Sequence, residues 1–331
     1  MGEMYNVSAS PHILGNTTTK TIMRDVVIAL LPATLFGIFN FGVNALLVIL
    51  ASVVSAVLAE YIFEKSLNKR ITTSDFSAVV TGLLLALNLP SNIPLWMVML
   101  GSVFAIIVVK QIFGGLGQNF MNPALAARCF LLISFTGKMT NFDIAKVEGT
   151  REYIINGYAS VDGVSGATPL AAVKAGEGFD LLKMFLGTTA GTIGETSTVA
   201  ILLGALYLVC RKVISLKIPC IYMGTVAIFT LVYSLATGNG FDFTYVAGHL
   251  CGGGLMLGAF FMATDYVTCP ITPLGKVVFA ILLGIFTGLF RIFGGSAEGV
   301  SYAIIFCNLL VPLIEKVTIP KAFGKGGKNN G

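Results

Sequence analysis

Asp162-Gly163-Val164-Ser165-Gly166-Ala167-Thr168-Pro169-Leu170 is a small, polar stretch in a chain that is otherwise mostly apolar. It offers the hydroxyl of Thr168 on a backbone loosened by Gly163 and Gly166. Ser165, Gly166 and Ala167 keep the flank small, and Asp162 adds an acid. A threonine oxygen set this way suits esterification by a phosphate, which needs an accessible hydroxyl, room for a bulky group and a loop that a modifying enzyme can thread.

The pattern D-x-x-[ST]-G-A-T, met here by Asp162, Ser165, Gly166, Ala167 and Thr168, is the motif on which flavin transferases join the phosphate of FMN to threonine. S-G-A-T alone also describes an ordinary polar turn; the longer pattern on one long polar loop is far more specific. Other candidates sit in or beside apolar runs. Asp265 ends one, and an acid at membrane depth is costly and functional by default. Asn119 and Asn122, three apart, share a helix face, where carboxamides can donate and accept; capping of the helix that Pro123 opens is the plainer role. Arg128 and Arg291 lie within or at the outer edge of apolar runs, and a guanidinium suits phosphate through its two-pronged fork, although ion-paired or snorkelling arginine is the plainer role. Asp25, Glu60, Asp75, Glu195 and Glu298 fall near the ends of apolar runs and are expected at interfaces. His249 has no partner at ligand spacing, so a satisfied interior histidine is expected and no metal site. No strand precedes Gly252-Gly253-Gly254, so it is not a dinucleotide fingerprint; it suits close helix packing or approach of a flavin.

The elements that must position these residues are membrane helices. Of 331 residues, 55% are hydrophobic and 11% charged, against about 25% charged in soluble domains. That is too little charge to cover a soluble surface, and the net charge of +5 sits in short clusters beside apolar runs rather than in a nucleic-acid patch. The six cysteines form no C-x-x-C pair, so neither disulfides nor zinc are favoured. The apolar runs predict an all-α protein of about ten spans: 24–41, 43–64, 75–90, 94–113, 120–136, 192–211, 218–237, 243–264, 274–293 and 298–316, the third short for a full crossing. Lys20, Arg24, Lys65, Lys69, Arg70, Lys110, Arg211, Lys212, Lys217, Lys276 and the terminal lysines all fall on one side, which by the positive-inside rule is cytoplasmic. Both termini are then inside and residues 137–191, with Thr168, outside. Thr81-Gly82-Leu83-Leu84-Leu85 matches Gly253-Gly254-Leu255-Met256-Leu257. Each is followed by a proline-punctuated break, an apolar span and Phe-Gly-Gly at 113–115 or 293–295, with Cys129 and Cys307 late in each half. Five spans per half make the second half inverted, a transporter-like signature. The expected units are residues 1–136 (first repeat), 137–191 (outer loop), 192–316 (inverted repeat) and 317–331 (basic tail).

Along its whole length the chain resembles the D-subunit family of Rnf complexes, which shares its fold with the B-subunit of the sodium-pumping NADH:quinone reductase. Asp162 to Ala171, Phe260-Phe261-Met262-Ala263-Thr264-Asp265 and Gly114 to Ala124 carry the resemblance. Tyr266 departs from it, standing where proline is expected. The resemblance implies a multi-pass protein of the bacterial or archaeal cytoplasmic membrane in an ion-translocating ferredoxin:NAD+ oxidoreductase, assembled with the A-, B-, C-, E- and G-subunits of that complex. It implies FMN on Thr168, fed by the covalent-flavin G-subunit. It also implies a non-covalent riboflavin near Asn119, Asn122, Thr264 and Asp265 that passes electrons toward the NAD-side C-subunit, coupled to Na+ or H+ movement. Arg128 and Arg291 are candidates for the FMN phosphate. Two alternatives stay open: a quinone-reducing component of the related pump, and a solute channel or transporter without redox function.

Overall fold

The computed structural model describes residues 18–142, 168–175, 179–187, 189–195, 197–238, 240–294 and 298–320. Among these the secondary structure is helical throughout. The helices are α1 (Thr19–Ser66), α2 (Ser77–Leu87), α3 (Leu95–Gln111), α4 (Pro123–Ser134), α5 (Pro169–Ala175), α6 (Leu181–Leu186), α7 (Thr198–Cys210), α8 (Lys217–Ala236), α9 (Phe243–Cys251), α10 (Leu255–Met262), α11 (Pro273–Phe293) and α12 (Val300–Thr318).

Four helices are long and apolar enough to cross a membrane: α1, α8, α11 and α12. Among the described residues α9 and α10 together are also apolar enough, as a broken span or a re-entrant loop bent by 61° at the break between them. The two expected spans 24–41 and 43–64 are one helical run, α1, interrupted at Gly42 (φ 70°, ψ −153°). Three other expected spans are shorter than their hydropathy suggests. α2, with 11 residues, reaches about 16 Å at 1.5 Å per residue, half the ~30 Å apolar core. Its N-terminal side is cut by a 3-10 turn at Thr73–Asp75 and by Phe76 in left-handed backbone. α4 starts late because Asn122 turns its side chain onto the first free amides, accepting from Ala124 N at 3.1 Å and Leu125 N at 3.4 Å. α7 starts late because the chain before it is used elsewhere: Ile193 N donates to Leu89 O at 3.0 Å and Gly194 N to Leu87 O at 2.8 Å. These amides satisfy carbonyls that α2 leaves open at its C-terminus, and so hold residues 192–195 across the end of α2.

Close helix contact through small residues sets the packing, as expected where lipid offers no hydrophobic drive between helices. Ser52 Oγ donates to Gly82 O at 2.7 Å and meets Ser102 Oγ at 3.0 Å, joining α1, α2 and α3. At Gly204 of α7 a β-carbon would collide with the Ala29 carbonyl of α1, so only glycine lets these helices touch. Large apolar side chains such as Leu35, Ile62, Leu206 and Ile228 point outward, an apolar surface that suits lipid.

Candidate functional site

Two recesses flank α10. One is a cleft with about 790 Å³ of space, its open mouth included, and it gathers residues far apart in sequence: Asn119 and Asn122 before α4, Thr264 and Asp265 after α10. Phe260, Phe261, Leu84 and Met23 supply its apolar walls. The polar residues are held by local bonds. Asn119 Nδ2 donates to Met121 O at 3.1 Å, Thr264 Oγ1 to Phe260 O at 2.7 Å, and Asp265 Oδ2 accepts from Thr268 Oγ1 at 3.1 Å. Asn122 is the helix cap described above, so its oxygen is already engaged. Tyr266, where proline was expected, donates its hydroxyl to Val213 O and ties this loop to the turn after α7. Burial pushes the Asp265 carboxyl above its ordinary range, with the Val267 and Thr268 hydrogen bonds pulling the other way.

The cleft has a charged wall that the sequence did not suggest. Lys110, expected as a topology charge on the cytoplasmic side, is 2% exposed and lines the cleft beside Ser77. Its Nζ is 2.6 Å from Glu60 Oε1 and 2.6 Å from Ser77 Oγ. Gln111 Nε2 joins Glu60 (2.9 Å) to Glu64 (3.1 Å). Glu60, expected at an interface, is 0% exposed, and its Oε2 has no hydrogen-bond partner among the described residues. The available signal was that both charges fall inside apolar runs, where a lone charge is costly and a partner is required. Both Lys110 and Gln111 lie in the π-helical last turns of α3, Phe104–Gln111, a local widening that recurs at functional sites.

The second recess holds Thr168, half-buried directly before α5. Ala171 N donates to Thr168 O at 2.7 Å and more weakly to Oγ1 at 3.3 Å. A narrow pocket, about 340 Å³ of space with its open mouth included, joins Thr168 to Leu170, Met184, Gly252, Gly253, Glu195 and Glu298. It continues, through Pro169, Met184 and Thr189, into an open groove of about 890 Å³ with Phe179 and Lys183. Asp162, Ser165, Gly166 and Ala167 lie outside the described residues.

Arg128 and Arg291 stand behind residues that line this pocket, and both are engaged by protein groups. Arg128 Nη1 donates to Asn88 Oδ1 (2.9 Å), Ser301 Oγ (3.0 Å) and Glu195 Oε1 (3.2 Å), and Nη2 pairs with Glu298. This is the ion-paired role weighed above against phosphate contact. Arg291, 1% exposed, donates to the carbonyls of His249, Gly252 (2.8 Å) and Gly253. Those are the carbonyls that α9 leaves open where the helix breaks, and a cation there opposes the negative end of the helix dipole. Gly253 (φ 61°) and Gly254 (φ 59°) make the break, and a β-carbon on Gly254 would strike the Glu195 carboxylate. The glycine triplet is therefore a helix interruption that lets Glu195 pack against the backbone at the start of α10. Glu195 and Glu298, expected at the outer interface, are instead walls of the pocket. His249 is interior, its ring edge-on to Tyr245 at 4.6 Å, but neither ring nitrogen has a hydrogen-bond partner among the described residues, so it is not a satisfied histidine there.

The NQR2, RnfD, RnfE family model matches residues 6–324. The chain belongs to that family. It is 47% identical over 323 residues to the D-subunit of the Na(+)-translocating ferredoxin:NAD(+) oxidoreductase complex of Acetobacterium woodii, covering 96% of this chain and 95% of that relative. It is 43% identical over 333 residues to the D-subunit of the proton-translocating ferredoxin:NAD(+) oxidoreductase complex of Clostridium ljungdahlii, covering 97% and 96%. It is 35% identical to the D-subunit of the ion-translocating oxidoreductase complex of Actinobacillus succinogenes, covering 98% of this chain and 100% of that relative. Relatives in this family are thus components of a membrane oxidoreductase complex that translocates ions, and the apolar helices make this chain a multi-pass membrane protein.

The residues fit flavins at both recesses. The cleft combines aromatic and aliphatic walls with carboxamide, hydroxyl and ammonium groups, as a flat ring with a polar edge requires. At the other recess, Thr168 offers a hydroxyl oxygen, and the adjoining groove offers Phe179 as a ring face and Lys183 as a positive charge.

Proposed function

We propose that this chain is the electron-carrying membrane component of an ion-translocating ferredoxin:NAD+ oxidoreductase. FMN is joined through its phosphate to Thr168, with Asp162, Ser165, Gly166 and Ala167 as the recognition motif, and riboflavin occupies the cleft of Asn119, Asn122, Thr264 and Asp265. The flavins supply the redox chemistry; the chain's own part is to hold them at fixed separation and set their electrostatics. The G-subunit supplies electrons on the outer side, and the C-subunit, with the A-, B- and E-subunits in the same complex, lies on the path toward NAD+. Na+ or H+ moves as the electrons cross. Ten helical segments in two inverted halves carry the pair, with both termini cytoplasmic and the Thr168 loop outside.

The observation that carries this reading is the place of α10. The glycines just before it, Gly252 and Gly253, wall the Thr168 pocket, and Phe260, Phe261 and Thr264 at its other end wall the cleft. The two recesses therefore lie at opposite ends of one short helix, whose eight residues rise about 12 Å.

Mass spectrometry of the intact chain and of its Thr168 peptide tests the assignment. The expected result is FMN minus water on that peptide in the native chain and none in Thr168→Val. Retained covalent flavin fluorescence in Thr168→Val would overturn the site.

A further inference from the structure

Glu195 and Glu298 both wall the Thr168 pocket, and one guanidinium serves them both. Arg128 Nη1 is 3.2 Å from Glu195 Oε1, and Nη2 pairs with Glu298 Oε2. Both carboxylates therefore crowd one guanidinium, and like charges that share a site favour a proton on one of them.

The surrounding charges can be counted. Arg128 and Arg291 contribute two positive charges behind the residues that line the pocket. A pair of carboxyls holding one proton contributes one negative charge, which leaves one positive. A phosphodiester on Thr168 carries one negative charge and brings the pocket to neutrality. Lys174, whose Nζ donates to Gly294 O, and the exposed Asp180 and Lys183 pair (3.9 Å) lie on the wet side, where water screens them. His249 sits behind the helix break, against Tyr245.

We propose that Glu195 and Glu298 form a proton-exchange pair for the outer cofactor, holding one proton when the flavin is oxidised and taking up a second when it gains an electron. The inference rests on the flavin assignment at Thr168. In the step, one electron passes from a reduced flavin of a partner subunit to the flavin on Thr168, and one proton passes from outside water along the groove of Phe179 and Lys183 to the ionised carboxylate of the pair. One O–H bond forms on the pair, none forms on the ring, and the added charge is cancelled within the pocket. Arg128 keeps its bonds to Asn88 and Ser301 and holds the pair in place in both states, as a positioning residue.

The test is a redox titration by dithionite of the purified full-length chain carrying its flavin, followed optically from pH 6 to 9, with the Thr168→Val chain subtracted as baseline. The native first-electron potential is expected to fall with pH by up to about 59 mV per unit, the tenfold equivalent for one electron. Infrared difference spectra should gain a protonated carboxyl band on reduction. Glu195→Gln with Glu298→Gln is expected to flatten the slope and remove the band, and Glu195→Asp to keep both. Glu298→Gln alone leaves a single carboxylate paired with Arg128 and is expected to flatten the slope as well, which covers a double variant that fails to fold. A slope unchanged in these glutamine variants, or a flat native slope, would overturn the proposal while leaving the flavin assignment intact. A Thr168 peptide without flavin mass would overturn both.

Discussion

Arg128→Met is the sharpest perturbation of the outer pocket. The guanidinium has four partners from four parts of the chain: Asn88 after α2, Glu195 before α7, Glu298 before α12 and Ser301 within it. Its side chain is 6% exposed and that of Glu195 is 4%, so the Glu195 pair is little screened. Removing one member of a buried pair costs about 3–5 kcal/mol because the remaining charge is stranded. A proton shared by the two carboxyls moderates this, so the expected loss lies near the lower end, about 3 kcal/mol, or roughly two powers of ten in the folding equilibrium. Reversible unfolding of the purified chain in mixed micelles with increasing SDS reads that loss directly. The cause is separated from simple loss of packing by repeating the substitution on the Glu195→Gln, Glu298→Gln background. No charge is stranded there, and the cost should fall to about 1 kcal/mol, the scale of neutral hydrogen bonds. Arg128→Lys should recover little, since one ammonium cannot serve four acceptors laid out for a planar fork. Equal cost of Arg128→Met in the two backgrounds would refute the idea that charge compensation, rather than shape, is what Arg128 supplies.

The other expectations concern the cleft and the helix break. Lys110→Met should destabilise the chain by about 3 kcal/mol by stranding Glu60, and Glu60→Gln in the same chain should restore much of it; the same SDS titration reports both. Gly254→Ala forces a left-handed alanine, about 1–2 kcal/mol, and presses on Glu195, so it should lower both stability and the yield of flavin-labelled chain seen by in-gel fluorescence. For Asp265 the sign follows from burial raising its carboxyl above the ordinary 3.8. The folded state then binds the proton more tightly than the unfolded one, so stability falls as pH rises above that value. Asp265→Asn should remove this part of the pH dependence, and an unchanged stability profile between pH 4 and 7 would contradict it.

Much of this organisation was legible in the residue order, and the rest was not, for reasons particular residues make plain. Hydropathy finds where the chain is apolar, and it marked the breaks at Gly42 and near Pro94 and Pro273. It does not say where apolar backbone is helical. Residues 192–197 read as the start of a span, yet amides among them are spent on the end of α2. Asn119 and Asn122 fall together with Thr264 and Asp265 in one cleft, a grouping that the family resemblance implied and local pattern alone could not. The pairs Lys110 with Glu60 and Arg128 with Glu195 and Glu298 are separated by 50, 67 and 170 positions; a single sequence carries no signal for contacts of that range. What it does carry is the cost of each charge taken alone, since a lysine, an arginine and glutamates in or beside apolar runs all need partners.

That cost also suggests why the two ends of α10 are built differently. At the Thr168 end, positive charge from Arg128 and Arg291 is balanced by two carboxyls that can change their proton count, on a pocket that opens to a groove. At the cleft end, Lys110 is locked to Glu60 and Ser77 at 2.6 Å, with Gln111 bridging to Glu64. The Lys110 wall of the cleft therefore offers a ligand a fixed charge, and on the proposed reading a ligand at Thr168 meets a field that adjusts to its charge. An electron entering at Thr168 would be neutralised by a proton at arrival and would shed that compensation on leaving toward the cleft. On the proposed reading, movement of charge along α10 is then tied to uptake and release of a proton at the outer face.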